Sequence, residues 1–181
     1  MTIRVITPPV EMAVSLTEAR NAARQNGTDH DAEIEIRVRA LTDEAEHHTG
    51  RAIINRTYEV TLDAFPDAIR LPNSPVSSVT SVKYLDLDGV EQTLDPADYI
   101  VDDKSEPGYI VPGVDLAWPD TQVRINAVNV VVVCGYGPDD ETTPHAFKAY
   151  ILARLKEIYA PAGTPESPFL IRGLDSLKVY G

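Results

Sequence analysis

The strongest constraint on this chain is a change in the period of its apolar residues, from helical to strand-like and back. Ile34, Val38, Leu41, Ala45 and His48 recur at spacings of four, three, four and three, which lines one stripe along a helix. From Ala52 to Gly137 the period is two: Ile54, Tyr58, Val60 and Leu62 alternate with Asn55, Thr57, Glu59 and Thr61, a pattern for strands with one covered face. Helical spacing returns with Phe147, Ile151, Leu155 and Ile158. A chain that switches twice is neither all-α nor all-β. It reads as α+β: a small helical bundle of N-terminal helices plus a C-terminal helix, with a β-rich insertion and an extended C-terminal arm. The boundaries fall at 1–51 for the N-terminal helical part, 52–137 for the insertion, 138–160 for the completing helix, and 161–181 for a linker and arm.

Local signals sharpen the ends. Ser15-Leu16-Thr17-Glu18 spells a capping box, and Asn26-Gly27 stops the short helix that follows it. Asp29 or Asp31 opens the second helix, with acids where the macrodipole favours them, and Gly50 occupies its left-handed C-cap. The expected bundle core is Leu16, Ile34, Val38, Leu41, Phe147, Ile151 and Leu155. Beside the main stripe, Ile36 and Ala40 form a second apolar pair. It either widens the core-facing stripe or makes a lateral contact with another subunit. Within the insertion, Asp88-Gly89 predicts a tight hairpin turn, and strands are expected at Tyr99–Val101, Tyr109–Val111 and Ala127–Cys134. Seven prolines (Pro66, Pro72, Pro75, Pro96, Pro107, Pro112 and Pro119) keep these strands short and put several at edges. Thr143-Pro144 starts the last helix.

Charge limits the partners. The 181 residues hold 16 Lys and Arg against 28 Asp and Glu, a net −12. No basic cluster exists to neutralise phosphates, which disfavours sequence-reading of DNA. No apolar run approaches the ~18 residues of a membrane span, and Met1–Ala13 has no apolar core of a secretory leader. A single cysteine, Cys134, excludes an internal disulfide framework and a cysteine-based zinc cluster. Cytosolic production is the expectation.

Motifs for chemistry are missing. His47 and His48 point to different sides of a helix and cannot jointly grip a metal. Asp86-x-Asp88-Gly89 echoes the start of a calcium loop, but Ala97 stands where that loop needs its last carboxylate. Asp102-Asp103 and Asp139-Asp140-Glu141 read as solvated loop acids. No phosphate-binding glycine loop or nucleophile elbow occurs, and Cys134 lies in a β-branched run that suits an inert buried thiol. The residues therefore present no catalytic constellation, and no cofactor and no metal are expected.

The tail says most about a partner. Pro161, Pro165 and Pro168 end the last helix, yet Phe169, Leu170, Ile171, Leu174, Leu177, Val179 and Tyr180 follow. Chain ends are normally polar and mobile. The expectation is an arm that docks on a neighbouring subunit or a larger partner, whose removal leaves a stable monomer. The alternative is an arm folded back on its own domain.

Several segments resemble phage head–tail connector (adaptor) proteins, a group that includes the adaptors of gene transfer agents. They are Thr49-Gly50-Arg51-Ala52-Ile53-Ile54, Leu62-Asp63-Ala64-Phe65-Pro66, Ile69-Arg70-Leu71-Pro72, Val79-Thr80-Ser81-Val82-Lys83-Tyr84-Leu85-Asp86 and Leu94-Asp95-Pro96-Ala97-Asp98-Tyr99. Trp118-Pro119, Gly135-Tyr136-Gly137 and the helix after Pro144 continue the resemblance, which spans residues 15–160 and rests on the order of the segments. Tyr58 stands where Trp is usual, and Cys134 where a small residue is usual. The resemblance implies a structural virion protein without enzymatic activity: a homo-oligomeric ring, usually of about twelve copies, in the virion neck at the head–tail junction. Such a ring assembles in the host cytoplasm, binds the portal protein on one side and a stopper or tail-completion protein on the other, and lets genomic DNA pass without sequence-specific binding. A stopper or tail-completion protein of the same neck is the main alternative, and an acidic ligand-binding domain or enzyme the more distant one.

Overall fold

In a computed structural model, which describes residues 1–165 and 167–180, the fold is α+β and divides into two compact units. A β unit comprises Met1–Pro8, Asn55–Gly135 and Tyr180. A helical unit comprises Pro9–Ile54 and Tyr136–Val179.

The helical unit is built from α1 (Leu16–Ala23), α2 (Asp31–Thr49) and α3 (His145–Ile158). Ser15 caps α1 in a complete capping box: the Glu18 N–H donates to the Ser15 hydroxyl at 3.2 Å, and the Ser15 N–H donates to the Glu18 carboxylate at 3.0 Å. The chain leaves α2 through Gly50 at φ +70°, a left-handed C-cap that closes on the Glu46 carbonyl. Ile34, Val38, Leu41, Phe147, Ile151 and Leu155 are buried in one cluster with Ala19, Ala22, Ala45 and Ile53, while Leu16 sits half-buried at its margin. Glu46 is also buried and accepts the Ile53 N–H at 2.7 Å, fixing the turn that follows α2.

The β unit holds two antiparallel sheets. The larger has the order β1 (Thr2–Thr7), β2 (Arg56–Leu62), β8 (Val128–Cys134), β4 (Val76–Leu85), β5 (Glu91–Thr93). The smaller has the order β3 (Ile69–Arg70), β7 (Tyr109–Pro112), β6 (Tyr99–Asp102). Register gives the larger sheet one apolar face. Tyr58, Val60 and Leu62 lie opposite Val132, Val130 and Val128, Val82 lies opposite Val130, and all seven are buried. Cys134 is buried at the end of β8, where the loss of solvent pushes its thiol up to about 11.

Two expectations need correction, and a third is met in a more specific form. The first eight residues do not belong to the helical part: Thr2–Thr7 pair with β2, because Ile3 and Val5 alternate with Thr2 and Arg4 at strand period. The hairpin expected at Asp88-Gly89 forms between β4 and β5. The Asp86 N–H donates to Val90 O and the Gly89 N–H to Asp86 O, which leaves a three-residue loop with Gly89 alone at positive φ, +78°. The tail, finally, is not an extended arm. Residues Ile171–Leu177 coil into a 3-10 helix, Leu174 is buried in the helical unit's own core, and Leu170, Ile171 and Leu177 pack against that core. Burying these side chains on their own unit satisfies the same apolar drive that a docked arm would.

Candidate interaction surfaces

Polar contacts hold the tail as well as apolar ones. The Val179 N–H donates to Thr49 O at 2.8 Å, and Arg51 Nε donates to Leu177 O at 2.5 Å. His48 Nε2 lies 2.9 Å from Asp175 Oδ1, and Lys178 Nζ lies 2.8 Å from the same oxygen. Lys178, then His48, hold the Asp175 carboxyl below the usual carboxylate range. Further back, the Ser167 N–H donates to Glu157, which also pairs with Arg154 at 2.7 Å. His48 therefore fastens the tail to the end of α2; its place on the apolar stripe signalled contact but not the partner.

The expected docking residues are split by this arrangement. Leu174 is committed to the core, and Leu170, Ile171, Leu177 and Val179 are half-buried on the helical unit. Phe169 and Tyr180 remain open, 62% and 79% exposed. The Arg172 guanidinium lies 5.1 Å from the Phe169 ring centre, a cation–π contact. An apolar groove of about 350 Å³ runs between α3 and the tail, floored by Ala146, Ala149 and Ala153 and walled by Leu170, Gly173 and Leu174.

On α2, Ile36 is 68% exposed and Ala40 is exposed. The pair does not widen the core-facing stripe. It forms an outward apolar face one turn long, flanked by Arg37, which reaches Glu33 at 3.6 Å, and by Arg39, which donates to Val10 O at 3.1 Å.

The β unit offers two further apolar surfaces that sequence reasoning missed. One is β1, exposed along its whole length, with Ile3 and Val5 41% and 44% exposed. The other is a pair of loop tips carrying Leu87, Val90, Val123 and Ile125, each more than half exposed. These tips are held rather than loose. Asp86 accepts the N–H groups of Asp88 and Val90, Asp63 accepts that of Asn126, and the Gln122 N–H donates to Leu85 O. Their signal in the sequence was Leu-x-x-Val and Val-x-Ile inside polar loops.

The loop acids act locally. Asp102 accepts the N–H groups of Lys104 and Ser105 at 3.0 Å each, and the Ser105 hydroxyl, then these N–H groups, hold its carboxyl below the usual carboxylate range. Asp139 caps the short 3-10 turn Asp140–Thr142, and Asp140 pairs with Lys148 at 3.3 Å. Among the described residues, no group of three or more His, Cys, Asp or Glu is placed to hold a metal ion, and no helix is long and apolar enough to cross a membrane.

Comparison with known proteins gives a likeness of fold. No protein-family model and no curated protein matches the sequence. Among solved structures, the chain is similar over 100% of its length, and over 97% of theirs, to chains of three particles. These are the neck of an empty gene transfer agent (GTA) particle computed with C6 symmetry (TM-score 0.83, 20% identity), the virion of a native GTA particle (0.81, 20%) and the neck of a native GTA particle computed with C12 symmetry (0.79, 21%). At this identity the likeness establishes the shared fold, both units included.

Proposed function

We propose that the chain is a structural neck protein, the adaptor that forms a ring of about twelve copies beneath a portal. It links the DNA-filled head to a stopper or tail-completion protein and catalyses nothing. The observation that carries this reading is the full-length fold likeness to chains of GTA necks, in particles treated with sixfold and twelvefold symmetry. The order of sequence segments described above supports it independently. In such a ring the outward pair Ile36 and Ala40 serves lateral contact, while Phe169 and Tyr180 are the tail residues still free to meet the portal. The net charge of −12 suits a channel that must not grip its genome. That repulsion reaches only about 8 Å at physiological salt, so it acts through lumen-lining acids alone.

A stopper of the same neck is the second reading. The presence of a helical unit as well as a β unit favours the adaptor, since a stopper is expected to be mostly β-barrel. Mixing the purified chain with a purified portal ring tests the choice. Portal-bound rings of the chain, weakened by Phe169→Ala with Tyr180→Ala, support the adaptor. Binding to the tail-side components with none to the portal would overturn it in favour of the stopper.

A further inference from the structure

We infer that Asn26, in the turn between α1 and α2, is a site of spontaneous covalent modification, where the folded chain loses the side-chain amide and gains aspartate or isoaspartate. Water is the only co-reactant. The Gly27 nitrogen attacks Cγ of Asn26: the N–Cγ bond forms, the Cγ–Nδ2 bond breaks, and ammonia leaves carrying the amide proton. Water then opens the cyclic imide at one of its two carbonyls. Breaking the bond from Gly27 N to Cγ gives aspartate. Breaking the bond from Gly27 N to the main-chain carbonyl carbon gives isoaspartate, whose backbone runs on through Cγ. Nothing is oxidised or reduced.

Asparagine is thermolabile in general, and three conditions for this step meet here. Gly27 has no side chain to shield its nitrogen, and a Cβ built there would meet nothing within 4 Å. Residues 26–30 are all exposed. Hydrogen bonding stops on either side of the bond: the Gln25 N–H donates to Arg20 O at the end of α1, and the Asp31 N–H donates to Thr28 O at the start of α2. Among the described residues, no hydrogen bond engages the Gly27 N–H or the Asn26 amide. Comparable places in the chain are held. At Asp88-Gly89 the glycine N–H donates to Asp86 O at 2.9 Å, and the Gln122 side chain crowds the glycine at 3.1 Å. The other asparagines all precede residues with side chains. Asn21, Asn73 and Asn126 precede the buried Ala22, Ser74 and Ala127, and Asn55 and Asn129 lead into paired residues of β2 and β8. The fold also tolerates the product. Arg20 Nε donates to Asp31 at 2.6 Å and clips the two ends of the turn together, so an added charge or methylene stays in solvent.

The test ages the full chain in mildly alkaline buffer, beside the same chain in urea, and maps both by peptide mass spectrometry and enzymatic methylation of isoaspartate. The folded chain is expected to gain an acidic isoelectric form whose mass change, NH exchanged for O, maps to Asn26. Its rate should lie within about threefold of the rate in urea, because an exposed turn needs no opening. Asn26→Gln, whose side chain would have to close a larger ring, should lose that form. The aged chain should keep its melting temperature within about 2 °C. No acidic form in the folded chain once the chain in urea has converted, or one that maps to another asparagine or persists in Asn26→Gln, overturns the site. Isoaspartate at Asp88 in place of residue 26 does the same. A melting temperature that falls in step with conversion overturns the claim that the turn absorbs the change.

Discussion

His48 and Asp175, 127 residues apart, meet at 2.9 Å and fasten the C-terminal 3-10 helix to the end of α2. The contact is one of several that make the tail part of the helical unit, with Leu174 1% exposed beneath it. Leu174→Ala should cost about 2–5 kcal/mol, the transfer term plus an unfilled cavity. Deleting residues 165–181 should lower the melting temperature by many degrees rather than leave it unchanged. Thermal unfolding followed by circular dichroism checks both, and a deletion with wild-type stability would show that the tail is dispensable for the fold.

Acid should weaken the protein over a defined window. Asp175, Glu157, Glu18, Asp31 and Glu59 all have carboxyls lowered by hydrogen bonds and opposite charges in the folded state. A lowered folded-state pKa gives stability that is complete above the unfolded values, about 3.9 for Asp and 4.3 for Glu, and lost as pH falls through the folded ones. The melting temperature should therefore hold steady from about pH 7 to 5 and fall steeply below about pH 4.5. Asp175→Asn should flatten part of that acid limb, which a pH series of melting curves will show.

Val38 is fully buried on α2, and Val38→Asp places a charge there with no partner. The cost of several kcal/mol should unfold the helical unit. Loss of helical ellipticity at room temperature is the expected reading; an unchanged melting curve would remove Val38 from the core.

How much of this was legible follows from the range of each signal. The capping box at Ser15, the stripe of α2, Gly50 and the β8 run announced themselves because their causes lie within a few residues. β1 carried its signal in Ile3 and Val5, but six residues of alternation beside two prolines are short, and pairing with β2 lies more than fifty residues away. The tail could not be placed because its apolar side chains suit any apolar groove. That Leu174 fills one in its own unit depends on residues of α2 and α3 far away in sequence. Exposure of Ile36 was equally beyond local pattern, since a wide stripe and a second face spell the same residues. A site made of surfaces for other chains leaves no motif comparable to a catalytic cluster.

Gly50 offers a sharp local check, because its φ of +70° lies in the region that glycine adopts freely. Gly50→Ala should destabilise the chain by about 1–2 kcal/mol without changing its oligomeric behaviour. Equilibrium denaturation measures the first, and light scattering the second.

The central claim is that this chain joins head to tail in a particle. The most direct measurement is electron microscopy of particles made with and without it. With the chain absent, heads should fill with DNA and then leak it or fail to receive tails, and tails should return when the chain is supplied. Tailed, DNA-retaining particles that lack the chain altogether would contradict the account.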